Sequence, residues 1–237
     1  MTVIDNGPAN VALALDERVR VVNSGGNLGY AGGANVGIAE WLAGDAEFCV
    51  IACHDVTLEP DALERLTATA GALAEYGVIA PSPAENVAGG PVLATNARVR
   101  DVAWASGTCL LLRRDCIAEI GGFDEGFGSY GEDIDLCYRA REAGWKVGIV
   151  IDAPARAAGS ADPGFRTQMY VNQVRLRAKH AGTRKALRML AAFPILAVAD
   201  ALRWLTRRDP VLLRRAGGRI RAVPGATRLL WNRIRAR

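Results

Sequence analysis

Residues 121–145, GGFDEGFGSYGEDIDLCYRAREAGW, decide how the rest of the chain is read. They set five carboxylates, Asp124, Glu125, Glu132, Asp133 and Asp135, around a glycine-rich turn just ahead of a helical pattern. Crowded like charges raise the cost of ionising one another, so a folded protein has little structural reason to gather them. Acids at a helix entrance complement the helix dipole. They also suit a base, or a site for cations and polar substrate hydroxyls. An isolated Glu132–Asp133 pair would favour the dipole reading; the whole segment favours chemistry. The helix carries Ile134, Leu136, Cys137 and Ala140 as its apolar stripe, with Arg139, Arg141 and Glu142 toward water. Gly144 ends it, and residues 146–151 (KVGIVI) read as a buried strand.

Working outward, residues 104–112 predict a strand with small residues at Ala105, Ser106 and Gly107, where something approaches the backbone. A short helix follows over 114–120. Upstream, the pattern predicts strands at 2–4 and 19–22, a helix over 34–42, an apolar strand FCVIAC at 48–53, a helix over 60–76 and a strand at 77–80. Downstream, 164–181 reads as a helix. Alternating strands and helices predict an α/β sandwich around a mainly parallel sheet, with ligands beyond the strand ends. Asp5, Asn27 and Asp55 all follow predicted strands, so one edge can hold all three.

At 237 residues, half of them hydrophobic, the chain can bury a full core and is not a disordered protein. The net charge of +4 hides a split. Residues 1–183 hold 15 Lys/Arg against 23 Asp/Glu, whereas 184–237 hold 14 against 2. The expected organisation is therefore an acidic domain over 1–183 and a basic helical tail over 184–237, with Pro210 and Pro224 as breaks. Five cysteines without a CxxC pair point to reduced core residues in a cytosolic setting. Residues 1–10 show no secretory pattern, and the apolar run 189–199, interrupted by Pro194, is too short to predict a membrane span.

Two further segments can carry chemistry. Residues 27–37 (NLGYAGGANVG) form a glycine-rich stretch running into a helix, which suits either a tight turn or a diphosphate-binding loop. They do not follow the GxGxxG dinucleotide spacing, which disfavours a Rossmann-type dehydrogenase. In residues 53–63 (CHDVTLEPDAL), Asp55 either caps a turn or holds a hard cation that bridges two phosphates.

In order, VIDNG, NLGYAGGANVG, HDVTLEPDAL and ASGTCLLLRRDCIAEIGGFDEGFGSYGEDIDLCYRAREAGW closely resemble the family 2 glycosyltransferases, in particular the rhamnosyltransferase-like members of bacterial surface polysaccharide synthesis. The resemblance covers residues 1–181, and GGFDE…YGEDxDLxxR…AGW is its most specific part. It implies a GT-A fold, a Rossmann-like α/β/α sandwich, and inverting transfer of a sugar, rhamnose in the nearest-looking members, from a nucleotide diphosphate donor. By position, Asp5, Asn27, Gly29 and Asn35 match donor-binding residues. Asp55 matches the last acid of the DxD-type motif, which binds a divalent Mg²⁺ or Mn²⁺ on the diphosphate. Asp133 matches the catalytic base, with Glu132 beside it and Asp124, Trp104 and Gly107 on the acceptor side.

Three departures accompany the resemblance. Family members carry a strand ending V-x-x-Y-N and a helix before their VDNG segment, so the sheet here is expected to lack that strand and part of the nucleotide pocket. Cys53 stands where the DxD motif has its first acid or Asn, and a thiol is a poor ligand for a hard cation. Residues 154–160 lack the late histidine ligand, although Ser160 fits the pattern. A non-catalytic homologue that binds a sugar nucleotide or a partner enzyme is therefore the alternative function. For the tail, interleaved arginine and tryptophan suit an anionic membrane surface, and a lipid-linked acceptor would agree with it. Helices packed on the catalytic domain and nucleic acid binding are the competing readings, the latter disfavoured by the strong apolar component. The expected location is cytoplasmic, peripheral on the inner face of the membrane.

Overall fold

The structure is a computed structural model of the 237-residue chain that describes residues 1–7, 16–85, 90–96, 98–158 and 165–236. It divides into two compact units, one of Met1–Gly128 with Glu132–Ser160, the other of Ser129–Gly131 with Ala161–Arg237.

In the first unit, β1 (Thr2–Asp5) and β2 (Arg20–Asn23) form a parallel pair. α1 (Gly29–Leu42) leads to β3 (Phe48–Ala52) and β4 (Val56–Leu58); α2 (Ala62–Ala72) then precedes β5 (Tyr76–Glu85). β6 (Val92–Thr95), β7 (Val99–Val102) and β8 (Cys109–Arg113) follow, then α3 (Arg114–Ile120), a 3-10 turn (Glu125–Phe127), α4 (Glu132–Glu142) and β9 (Lys146–Ala157). The seven-stranded sheet runs β3-β8-β5-β9-β7-β6, with β4 also paired to β9.

This corrects the expected mainly parallel sheet. Among the described residues, β5 and β9 alone pair in parallel in this sheet, and its other ladders are antiparallel. An apolar run specifies neither direction nor place in the sheet: β8 is buried throughout, whereas β3, whose apolar run reads as a central strand covered on both faces, is a half-buried edge strand. The layers follow the two-residue period of the strands. Val78, Leu110, Leu112 and Ile149 join Ile38, Ile117 and Leu136 from α1, α3 and α4 on one face. Ile79, Leu111 and Val150 meet Ala62, Leu66 and Ala70 of α2 on the other.

Two boundaries bear on the site. α1 starts at residue 29, five residues earlier than expected, so the glycine-rich stretch forms the first turn of the helix instead of a loop ahead of it. The missing side chains are the reason: a Cβ on Gly33 would stand 3.0 Å from the Asn6 amide, and one on Gly29 would stand 2.7 Å from the Gly128 carbonyl oxygen. The strand expected over 104–112 begins only at Cys109, leaving residues 103–108 as an irregular segment ahead of it.

The second unit holds α5 (Phe165–His180), α6 (Thr183–Arg207) and α7 (Pro210–Arg235) around Tyr170, Val174, Phe193, Ala222, Ala226 and Leu230. Pro210 opens α7 behind the Asp209 cap, whose carboxylate accepts the Val211 N–H at 2.8 Å. Pro224, expected to break the helix, lies inside it, because Ala222 and Ala226 on either side remain buried in the helical interface. α6 is one continuous 25-residue helix with a mean hydropathy of 1.5 over its most apolar window, which is long and apolar enough to cross a membrane.

Candidate functional site

The five acids of the 121–145 segment divide their work. Asp135 is fully buried and pairs with Arg139 Nε at 2.9 Å. The same guanidinium donates to the carbonyls of Ile120 and Gly122, each at 2.6 Å, so this ion pair fixes the Gly121–Gly122 corner. Asp124 caps the 3-10 turn through the Gly126 N–H at 3.0 Å. Glu125 accepts the Asn35 amide at 2.9 Å. Glu132 and Asp133 remain at the first turn of α4, Glu132 buried and Asp133 half-buried.

Asp133 is held at both oxygens. Oδ2 accepts the Gly107 N–H at 2.8 Å, and Oδ1 accepts the Ile134 N–H at 2.8 Å. Gly107 is needed there: a Cβ would lie 3.2 Å from Asp133 Cβ and 3.4 Å from the Tyr30 ring. The Tyr30 hydroxyl donates to the Gly107 carbonyl. The residues flanking the glycine are polar, with the Ser106 and Thr108 hydroxyls 2.8 Å apart.

The end of β3 reaches the same place. Its ladder with β8 ends at Ala52 opposite Cys109, and the next N–H, of Cys53, donates to the Thr108 carbonyl at 2.9 Å. Burial, then the charges of Asp55, Glu132 and Asp133, push the Cys53 thiol up to about 11. Burial, then Cys53, Glu132 and Asp133, likewise raise the Tyr30 phenol. Asp55 and the two acids of α4 thus lie within electrostatic reach of one thiol.

The residues expected on the donor side cluster around the first turns of α1. Asp5 Oδ1 accepts the Gly7 N–H at 3.0 Å, and Asn23 donates to Oδ2 at 3.3 Å. Asn27 Oδ1 accepts the Gly29 N–H at 2.9 Å, which sets the positive φ of 72° at that glycine. Asn35 binds the acidic turn at both ends of its amide, donating to the Phe123 carbonyl at 2.9 Å and accepting its N–H at 2.8 Å. It locks α1 to that turn. Trp104 packs on the core beside the sheet, and its carbonyl accepts the Gly90 N–H at 2.7 Å.

Sequence reasoning missed Asn6 and Tyr30. Asn6 donates to the Gly29 carbonyl at 2.9 Å and accepts the Leu28 N–H at 2.9 Å, closing the loop that Asp5 begins. A short amide directly after a strand was its only signal. Tyr30 ties that loop to Gly107, and a lone aromatic among glycines was the signal there.

Asp55 supplies one hard oxygen, which suits a Mg²⁺ or Mn²⁺ carried mainly by water and a diphosphate. The protonated Cys53 thiol does not suit such an ion. Among the described residues, no group of three or more His, Cys, Asp or Glu side chains is arranged to hold a metal. Ser160 lies outside the described residues.

The mixed sheet with its flanking helices has the GT-A fold. Its structural neighbours include GalNAc-T7 with UDP, GalNAc and Mn²⁺ (TM-score 0.56, 15% identity, 74% of this chain and 41% of that one) and the mannosyltransferase PcManGT of Pyrobaculum calidifontis with GDP-Man and Mn²⁺ (0.55, 15%, 88% and 69%). Residues 85–177 match the family described as glycosyltransferase like family 2. An N-acetylglucosaminyl-diphospho-decaprenol L-rhamnosyltransferase of Mycobacterium tuberculosis is 31% identical, and the match covers 59% of each chain. A low-salt glycan biosynthesis hexosyltransferase of Haloferax volcanii is 27% identical over 57% of this chain and 51% of its own. The chain thus spans little more than half the length of these relatives.

Proposed function

We propose that this chain is an inverting glycosyltransferase that moves a sugar, with rhamnose favoured, from a nucleotide diphosphate donor to a cell-surface glycan or lipid-linked acceptor on the cytoplasmic side. One observation carries the reading: Asp133 is clamped on the Gly107 amide, and both it and Asp55 bear electrostatically on the Cys53 thiol. A donor whose diphosphate lies toward Asp55 would present its anomeric carbon toward Asp133. The carboxylate of Asp133 takes the proton of the acceptor hydroxyl while that oxygen forms the new bond to the anomeric carbon. The bond from that carbon to the diphosphate breaks, and the diphosphate leaves with the electron pair. The two amide hydrogen bonds hold Asp133 in one orientation, so no reorganisation accompanies proton transfer. When bound, a divalent cation neutralises charge on the departing diphosphate, and Asp55 is the residue that would hold it.

Donor turnover with and without Mn²⁺ or Mg²⁺, in wild type and Asp133→Asn, tests the reading. The variant is expected to lose about 10²-fold or more in turnover with donor affinity kept. Unchanged turnover removes Asp133 as the base. A second reading, a non-catalytic homologue, is favoured by the thiol at 53. Calorimetry that detects nucleotide diphosphate binding without turnover at any metal concentration would select it.

A further inference from the structure

α6 and α7 each bury one face against the other helices of the second unit, and each carries a second apolar face that is not covered. On α6 the buried positions are Ala186, Phe193, Ala197 and Asp200. A quarter-turn or more away run Leu187, Ile195, Val198, Leu202 and Leu205, with Ile195 71% and Val198 60% exposed. Their spacing keeps the helical period, so they form one continuous stripe. α7 repeats the arrangement with Leu213, Ile220, Trp231 and Ile234, all exposed. The two stripes share one side of the hairpin. Val198 and Ile220 line a single groove of about 450 Å³ with Ala197, Ala201, Gly217 and Arg221.

The charges beside the stripe are ordered. Arg214, Arg221, Arg228 and Arg235 recur every seven residues on α7 and are all exposed. Seven residues is close to two helical turns, so they form a row flanking the stripe. Arg235 also lies over the Trp231 ring, 4.5 Å from its centroid. Of the two acids among residues 184–237, Asp200 is buried against Arg219 and Asp209 caps α7.

We propose that the α6–α7 hairpin lies in the plane of an anionic phospholipid surface, with both stripes at the acyl boundary and the arginine row at the lipid phosphates. Aliphatic side chains next to a row of snorkelling arginines match that interface. Crossing the bilayer would carry the buried Asp200–Arg219 pair into hydrocarbon, and with it α7 and its seven arginines. Nucleic acid would match the charges but leave the stripes in water. A second copy would set two strongly cationic faces against each other.

Flotation of the purified full chain with vesicles tests this. The chain is expected to float with phosphatidylcholine vesicles that contain phosphatidylglycerol and not with phosphatidylcholine alone. High salt should release it, and millimolar inorganic phosphate should not. Ile195→Glu/Leu202→Glu should abolish flotation while circular dichroism and donor turnover stay unchanged. Arg221→Gln and Arg228→Gln should each weaken vesicle affinity about fivefold and flatten its salt dependence. Equal binding to neutral vesicles overturns the proposal, as does flotation unaffected by the glutamates. So does retention after alkaline carbonate washing, which marks a spanning helix, or a dimer in sedimentation that the glutamates split. Tighter binding to RNA than to vesicles also overturns it. The Asp133→Asn protein should still float, so loss of catalysis and loss of docking are read separately.

Discussion

Gly107 illustrates how closely the site is built around single atoms. Its N–H holds Asp133, its carbonyl accepts Tyr30, and its missing side chain leaves room for both. Gly107→Ala places a methyl group 3.2 Å from Asp133 Cβ, so the carboxylate must shift by a few tenths of an ångström. Turnover is expected to fall about tenfold or more while the chain still folds; steady-state kinetics beside a thermal melt will check this. Cys53 is the other informative residue. It sits among three carboxylates yet offers no hard oxygen. Cys53→Asp adds one, at the cost of a further negative charge. The melting temperature of that variant should drop without metal and recover on adding Mn²⁺. Isothermal titration should show tighter Mn²⁺ binding than wild type, and identical binding would remove position 53 from the cation site.

At the level of elements, α4 is anchored along its length and carries its remaining acids at its entrance. Asp135 and Arg139, one turn apart, hold the corner at residues 120–122, while Glu132 and Asp133 sit a turn earlier at the helix entrance. Removing the guanidinium leaves a fully buried carboxylate without its cation. Arg139→Leu is therefore expected to destabilise the chain by about 3–5 kcal/mol, measured by urea unfolding. Arg141, more exposed and paired with Asp101 at 2.9 Å, should cost much less when replaced. The sequence marked α4 and its acids correctly as a helix entrance, since charge crowding and helical period are local properties. It could not assign the acids to separate tasks. Asp135 faces Arg139 and the core, whereas Asp133 faces Gly107, and that difference depends on which way each side chain meets the sheet.

Over the molecule, all five cysteines are raised from 9.0 by burial, Cys49, Cys53 and Cys109 to about 11 and Cys116 and Cys137 to about 12. The folded state disfavours their thiolates, so this contribution to stability is whole below pH 9 and is lost as pH rises through 11 to 12. Unfolding midpoints should hold steady from pH 7 to 8.5 and decline above 9, with a shallower decline in Cys137→Ala. The thiols should also alkylate slowly at pH 8 until denaturant is added. Apolar runs around the cysteines pointed to core positions beforehand, and Cys109, Cys116 and Cys137 are buried while Cys49 and Cys53 stay half-buried. The charge split and the helical character of the tail were legible as well, since both are sums over local composition. Strand direction was not, because an apolar run looks the same whichever way it points. Nor was the start of α1, where glycines at 29–33 read as a loop until Asn6 and Gly128 are placed against them. The amino-acid order by itself determined the family resemblance, the apolar runs that become strands and the gathering of carboxylates at the α4 entrance. Only the tertiary structure decided that residues 53–55, 107 and 133 converge, because convergence rests on the β3–β8 pairing, a contact between positions some sixty residues apart that no local pattern encodes.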